Sequence, residues 1–140
     1  MMPINRARFL LGGVVAGLIV DAFEALTHGV LFAQRDADML TRMGISPFGS
    51  AGGIVALNMW GIAVGLLILR LYTALRRADG PGPRTALHAA LYVWAGASAL
   101  ATAIPGILGM YKLDMAITDV CIELVAFILA GLAGAALYRD

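Results

Sequence analysis

Four carboxylic acids and a histidine sit inside the first and last apolar stretches of this chain. Asp21, Glu24 and His28 lie in the first such stretch, and Asp119 and Glu123 in the last. Charged side chains within lipid-spanning segments are costly, and they usually face a site or a helix interface rather than acyl chains. Neither stretch contains a lysine or arginine to neutralise its acids. The four carboxyls must therefore be protonated, hydrated, bound to a cation, or paired with His28 or a partner protein. Two close carboxyls in low dielectric cannot both ionise cheaply and tend to share a proton, which suits proton relay or cation binding.

Their spacing places them on shared helix faces. Residues three and four apart lie on one side of a helix, so Gly13, Gly17, Asp21, Glu24 and His28 make one stripe. Asp119, Glu123, Ala126, Ala130 and Gly134 make another. If the two helices run antiparallel, Glu24 and Glu123 fall at the same depth, roughly 12 Å from the outer ends at about 1.5 Å per residue. His28 and Asp119 then share a shallower layer. Asn58 and Thr102 come to a depth similar to that of the glutamates. Pro105 removes a backbone donor and frees a carbonyl nearby. The expectation is a polar pocket in the outer half, with the two stripes facing each other and turning to small residues in the inner half.

Other chemistries find less support. The Glu24-x-x-x-His28 pair with further carboxyls has something of a metal ligand pattern. It is not the Glu-x-x-His of di-iron bundles, nor a His-Glu-x-x-His zinc helix. Met39, Met43, Met110 and Met115 could capture a soft metal, although methionine is also ordinary apolar filler. His88 belongs to the opposite end of the spans from His28, so the two cannot hold one haem, and an interfacial histidine is the simpler reading. No Ser-His-Asp set, Cys-x-x-Cys pair or nucleotide-binding loop is present. Cys121 is the only cysteine, which excludes an intrachain disulfide; it reads as a small packing residue. The plainest alternative for the polar set is structural, since interhelical hydrogen bonds in membranes are worth about 1 kcal/mol each.

The elements that position these residues follow from composition. The chain has 140 residues, 61% hydrophobic and 14% charged, with a mean hydropathy of +0.86. A soluble domain carries about 25% charge. A spanning helix needs about 20 mostly apolar residues, and four stretches qualify: residues 9–32, 48–71, 85–110 and 115–138. Continuous rather than alternating hydrophobicity excludes a β-barrel. The expected fold is all-α, one four-helix integral membrane bundle filling residues 1–140. Arg6 and Arg8 precede the first run as in a signal peptide. The run is too long for one and lacks a small-x-small cleavage site, so it reads as a retained first span.

Orientation follows from the basic residues. With the N-terminus inside, Arg6, Arg8, Arg70, Arg76, Arg77, Arg84 and Arg139 are cytoplasmic, and only Arg35, Arg42 and Lys112 lie outside. Both termini are therefore expected in the cytoplasm, and the imbalance argues against dual topology. The loop from Ala33 to Pro47 mixes charges with Met39, Leu40 and Met43, as in a short amphipathic helix at the interface. Gly80-Pro81-Gly82-Pro83-Arg84-Thr85 predicts a sharp turn; it lacks the Lys-Ser/Thr ending of a phosphate-binding loop. The short link at Tyr111 to Asp114 makes the third and fourth spans antiparallel neighbours. The Gly13/Gly17 and Gly61/Gly65 pairs predict close backbone approach, within the bundle or between copies. Trp60 and Trp94 are expected to pack or line the pocket. Tyr72, Tyr111 and Tyr138 are expected as anchors at span ends.

The acidic, glycine-rich first helix, the Gly80-Pro81-Gly82-Pro83-Arg84-Thr85-Ala86 turn and the closing Leu132-Ala133-Gly134-Ala135-Ala136-Leu137-Tyr138 resemble a group of small four-helix bacterial membrane proteins without a settled activity. The resemblance implies a multi-pass protein of the bacterial cytoplasmic membrane and carries over no catalytic residue. Three functions fit the residues. One is a non-enzymatic homo-oligomer or accessory subunit whose polar layer holds it or a partner membrane subunit together. Another is a proton- or cation-coupled transporter or channel using Glu24 and Glu123. The third is a metal-handling or redox membrane subunit. The lipid bilayer is the expected surrounding; nothing suggests nucleic acid. No cofactor is specified.

Overall fold

The computed structural model describes residues 5–46, 51–110 and 112–138. The expected span start at Phe48, the loop end at Pro47, the Tyr111 anchor and Arg139 lie outside them. The described residues form helices and connecting turns: α1 (Arg6–Leu26), α2 (Ala33–Arg42), α3 (Ala51–Asp79), α4 (Pro83–Trp94), α5 (Leu100–Ile107) and α6 (Leu113–Leu137). Two π-turns, Thr27–Leu31 and Ala95–Ala99, extend α1 and join α4 to α5. Four continuous helical stretches are long and apolar enough to cross a membrane: Arg6–Leu31, Ala51–Asp79, Pro83–Ile107 and Leu113–Leu137.

Local chemistry sets the element ends. The Asn5 side chain caps α1 by accepting from the Arg8 backbone N–H at 3.1 Å, satisfying one orphan donor of the first turn. Gly80 (φ 80°) and Gly82 (φ 146°) take backbone conformations that a side chain resists. Pro83 then starts α4, where its missing N–H costs nothing. The Thr85 hydroxyl donates to the Gly80 carbonyl at 2.8 Å and closes the turn. The Gly-Pro segment is thus the plain turn its composition predicts. In the third span the widened turn at Ala95–Ala99 precedes Pro105, which α5 accommodates within its own length.

The long helices pack as neighbours: α1 against α3 and α6, and α4 against α6 and α3. Their contact is tightest in the half that holds the α3–α4 turn, the glycine half. A methyl on Gly65 would run into the Gly17 amide nitrogen and the Gly13 carbonyl oxygen. One on Gly17 would lie 2.8 Å from the Gly61 carbonyl oxygen. A methyl on Gly12 would stand 2.6 Å from the Gly134 carbonyl oxygen, and one on Gly131 would stand 2.8 Å from Ala90 Cβ. Around these contacts Phe127, Ile68, Leu69 and Val20 are fully buried.

This geometry corrects the expected stripe pairing. Gly13 and Gly17 do not face the fourth span; they seat against Gly65, Ile62 and Leu66 of α3, while Gly12 meets Gly134 of α6. A helix touching two neighbours presents adjacent stripes to each, and Gly12 belongs to the second. The aromatic expectations are also revised. Tyr72 and Tyr138 are buried and pack edge to face at 6.3 Å, with the Arg76 guanidinium 5.2 Å from the Tyr138 ring centroid. Trp60 is exposed, whereas the Trp94 indole N–H donates to the Val120 carbonyl at 3.1 Å. Cys121 is exposed rather than packed.

Candidate functional site

The other half of the molecule holds the acids. The last two turns of α1 carry Asp21 and Glu24, the π-turn that extends it carries His28, and the first turns of α6 carry Asp119 and Glu123. A carboxylate oxygen of Glu24, one of Glu123 and a ring nitrogen of His28 all lie within 4.8 Å of one another. The two glutamates are within side-chain hydrogen-bonding reach. His28 Nε2 stands 3.4 Å from Glu24 Oε2 and 3.6 Å from Asp119 Oδ1. The helical spacing thus brings the four residues into one layer between α1 and α6.

One member of the constellation escapes sequence reading. Asp36, on α2, reaches back so that its Oδ2 lies 2.8 Å from His28 Nδ1. Asp36 Oδ1 is held in turn by Arg35, at 2.7 Å from Nη2 and 2.8 Å from Nε. The Arg35 guanidinium lies over the Phe32 ring, 4.1 Å from its centroid. The chain can fold back this way because Thr27–Leu31 is a π-turn, and α2 begins two residues after it. The expected amphipathic helix exists, and its charged side folds onto the histidine. Arg35 also brings positive charge to the edge of a site near which neither α1 nor α6 places a lysine or arginine. Helical periodicity cannot reveal a contact across a loop. The available signal is only that Arg35 and Asp36 are adjacent charges seven and eight residues after His28.

With Nδ1 tied to Asp36, His28 directs Nε2 toward Glu24 and Asp119. A carboxylate that fixes the far nitrogen of a histidine in this way is the usual support for a metal-ligating imidazole. Ligands of a tetrahedral ion bound at about 2.0–2.1 Å stand about 3.4 Å apart, the separation found around His28 Nε2. Asp119 Oδ1 is buried and has no hydrogen-bond partner.

The remaining expected residues take different roles. Asp21 turns toward α3: its Oδ1 fills the place a Cβ on Gly61 would occupy, and its Oδ2 is buried without a hydrogen-bond partner. Gly61 therefore seats Asp21 within the same chain. Asn58 spends its amide on the Ile54 carbonyl of its own helix, at 2.8 Å. It lines a cavity of about 560 Å³ between α1, α2 and the start of α3, whose walls also include Asp21, Glu24, His28, Asp36 and Leu57. Thr102 is half-buried on α5 and lines no part of this cavity. None of the four methionines lines it either. His88 pairs with Asp79 at 4.0 Å at the other end of the spans, as an interfacial histidine would. Comparison with known proteins returns no matching family model, no matching curated protein and no matching solved structure.

Proposed function

We propose that this chain is a multi-pass bacterial inner-membrane protein, a four-helix bundle with both termini in the cytoplasm, that binds a divalent first-row metal cation from the outer side. Glu24, His28 and Glu123 supply the ligands, Asp119 stands ready as a fourth, and Asp36 orients the imidazole. The observation that carries this reading is the His28 geometry: one ring nitrogen is tied to Asp36 and the other is aimed among carboxylates. Two glutamates neutralise a divalent charge, and imidazole with carboxylates suits zinc, iron or manganese better than a soft monovalent ion. Non-enzymatic action as a homo-oligomer or accessory membrane subunit is the setting in which such a site works. The close α1–α3 and α1–α6 packing in the glycine half supports binding or delivery rather than passage through a single protomer.

Titration calorimetry of the detergent-purified protein with zinc and with manganese tests this. One equivalent per chain is expected, and Glu24→Gln and His28→Gln should each weaken binding by at least tenfold. Zinc uptake unchanged in both variants would overturn the proposal. Orientation is tested separately by cysteine labelling in intact cells: Ser46→Cys should react from outside and Asp79→Cys only after permeabilisation. The proton-coupled alternative, using the same glutamates without a metal, would instead show proton uptake by liposomes that Glu24→Gln removes.

A further inference from the structure

A second cavity, of about 570 Å³, lies on the outer surface of the helix pair α3 and α4, away from the carboxylate layer. Its walls include Leu67, Arg70 and Ala74 from α3 and Tyr92, Gly96 and Ala97 from the α4 side. Size alone puts it among cavities that take organic ligands, and most of its lining is apolar or small.

Arg70 gives the groove its chemical character. It is exposed within a span, and no acidic side chain among the described residues pairs with it. An arginine in this position must extend its guanidinium toward the headgroup layer and find an anion there. Arg70 lies nine positions before Asp79, and Tyr92 nine after Pro83, so the two share a depth about 14 Å from the α3–α4 turn at 1.5 Å per residue. α3 is 29 residues long, whereas about 20 cross the hydrocarbon core. Its end with Arg76 and Arg77 therefore reaches the headgroups, and Arg70 lies just inside them. The arginines at this end outnumber Asp79, so the local field favours negative lipids.

The geometry points to a phospholipid site in this groove: an acyl chain lies along Gly96, Ala97 and Ala74, and its anionic headgroup phosphate is held by Arg70. The small residues form the floor. A Cβ added at Gly96 would meet no atom within 4 Å, so the groove there is open to an occupant.

Native mass spectrometry of the detergent-solubilised protein, equilibrated with equal phosphatidylglycerol and phosphatidylcholine, tests the assignment. The wild type should retain one phosphatidylglycerol in preference to phosphatidylcholine. Arg70→Gln should lower that preference at least fivefold. Gly96→Leu should reduce retention of both lipids by filling the floor, and because its Cβ enters open space it should not lower the melting temperature. His28→Gln, in the carboxylate layer, should leave lipid retention intact. Equal retention by wild type and Arg70→Gln would overturn the site. So would release of the lipid by inorganic phosphate, which would make the phosphate alone the ligand. A dimer that Arg70→Gln or Gly96→Leu dissociates would also overturn it, by showing that a second copy fills the groove.

Discussion

α1 meets α3 in two different ways along its length. In the glycine half the helices approach backbone to backbone, with Gly65 set against Gly13 and Gly17. Further along the same pair, α3 draws away and leaves the 560 Å³ cavity lined by Asp21, Glu24, His28 and Asn58. The residue that marks the change is Asp21, whose carboxylate occupies the space over Gly61. One turn earlier, Gly17 fits against α3 only because it has no side chain. A single helix face therefore acts as a seam in one half and a polar wall in the other, because its four-residue spacing passes from glycine to aspartate. The seam holds the helices at fixed separation, and that rigidity lets the wall keep ligand-spaced groups without burying them fully.

Removing the seam should have the largest effect on stability. Gly65→Ala places a methyl against backbone atoms of Gly13 and Gly17, which cannot rotate aside. Overpacking in a close-packed interior costs about 1–3 kcal/mol, occasionally more, and contact with backbone belongs at the upper end. The melting temperature in detergent should fall more for Gly65→Ala than for any other substitution discussed here. A melting temperature within error of the wild type would mean that α1 and α3 are not in backbone contact.

Substitutions in the wall should separate binding from stability. Glu24→Gln keeps a hydrogen-bonding side chain beside Glu123 and His28, so the fold should persist while zinc affinity falls by at least tenfold. Glu24→Leu leaves those partners without their neighbour, and an unsatisfied buried polar group costs about 1–3 kcal/mol. If Glu24→Gln lowers the melting temperature as much as Glu24→Leu and binds zinc normally, the layer is purely a structural one. Asp36→Asn tests the orienting contact more finely. Outer-shell partners of metal-bound histidines typically contribute about 10–100-fold in affinity, and the lower end is expected because asparagine still offers an acceptor oxygen. Its stability should hardly change, since Asp36 belongs to the short peripheral helix α2.

Much of this contrast is legible in the amino-acid sequence. Four apolar runs define the four long helices. Positions 21, 24 and 28 against 119 and 123 predict the Glu24–Glu123 layer, because depth along antiparallel helices follows directly from the rise per residue. What periodicity could not supply was azimuth. Gly12 and Gly13 are adjacent in sequence yet face different neighbours, α6 and α3, and only the complete packing decides which. Asp36 was hidden for another reason. Its contact with His28 depends on the π-turn at Thr27–Leu31 redirecting the chain, and no local pattern in that segment announces a widened turn. Thr102 shows that depth by itself is insufficient: it shares the layer by counting, yet lines no part of the cavity.

The smallest expected effect is also the most discriminating, because it applies the same chemical change to the opposite wall. Gly29 follows His28 in the π-turn that extends α1, lines the cavity, and a Cβ built on it meets no atom within 4 Å. Gly29→Ala therefore adds the same methyl as Gly65→Ala, but into open space. Removing a helical glycine is itself favourable by up to about 1 kcal/mol, less in a π-turn, whose geometry is already loosened. The melting temperature should stay level or rise slightly, and zinc affinity should be retained, because Gly29 offers no ligand atom. A pronounced loss of stability at Gly29→Ala would mean that the cavity closes in the membrane, with α3 against α1 along its whole length. Asp21, Glu24 and His28 would then lie in a dry seam with no room for an entering ion. A silent Gly29→Ala beside a strongly destabilised Gly65→Ala would establish that one helix pair is closed at one end and open at the other.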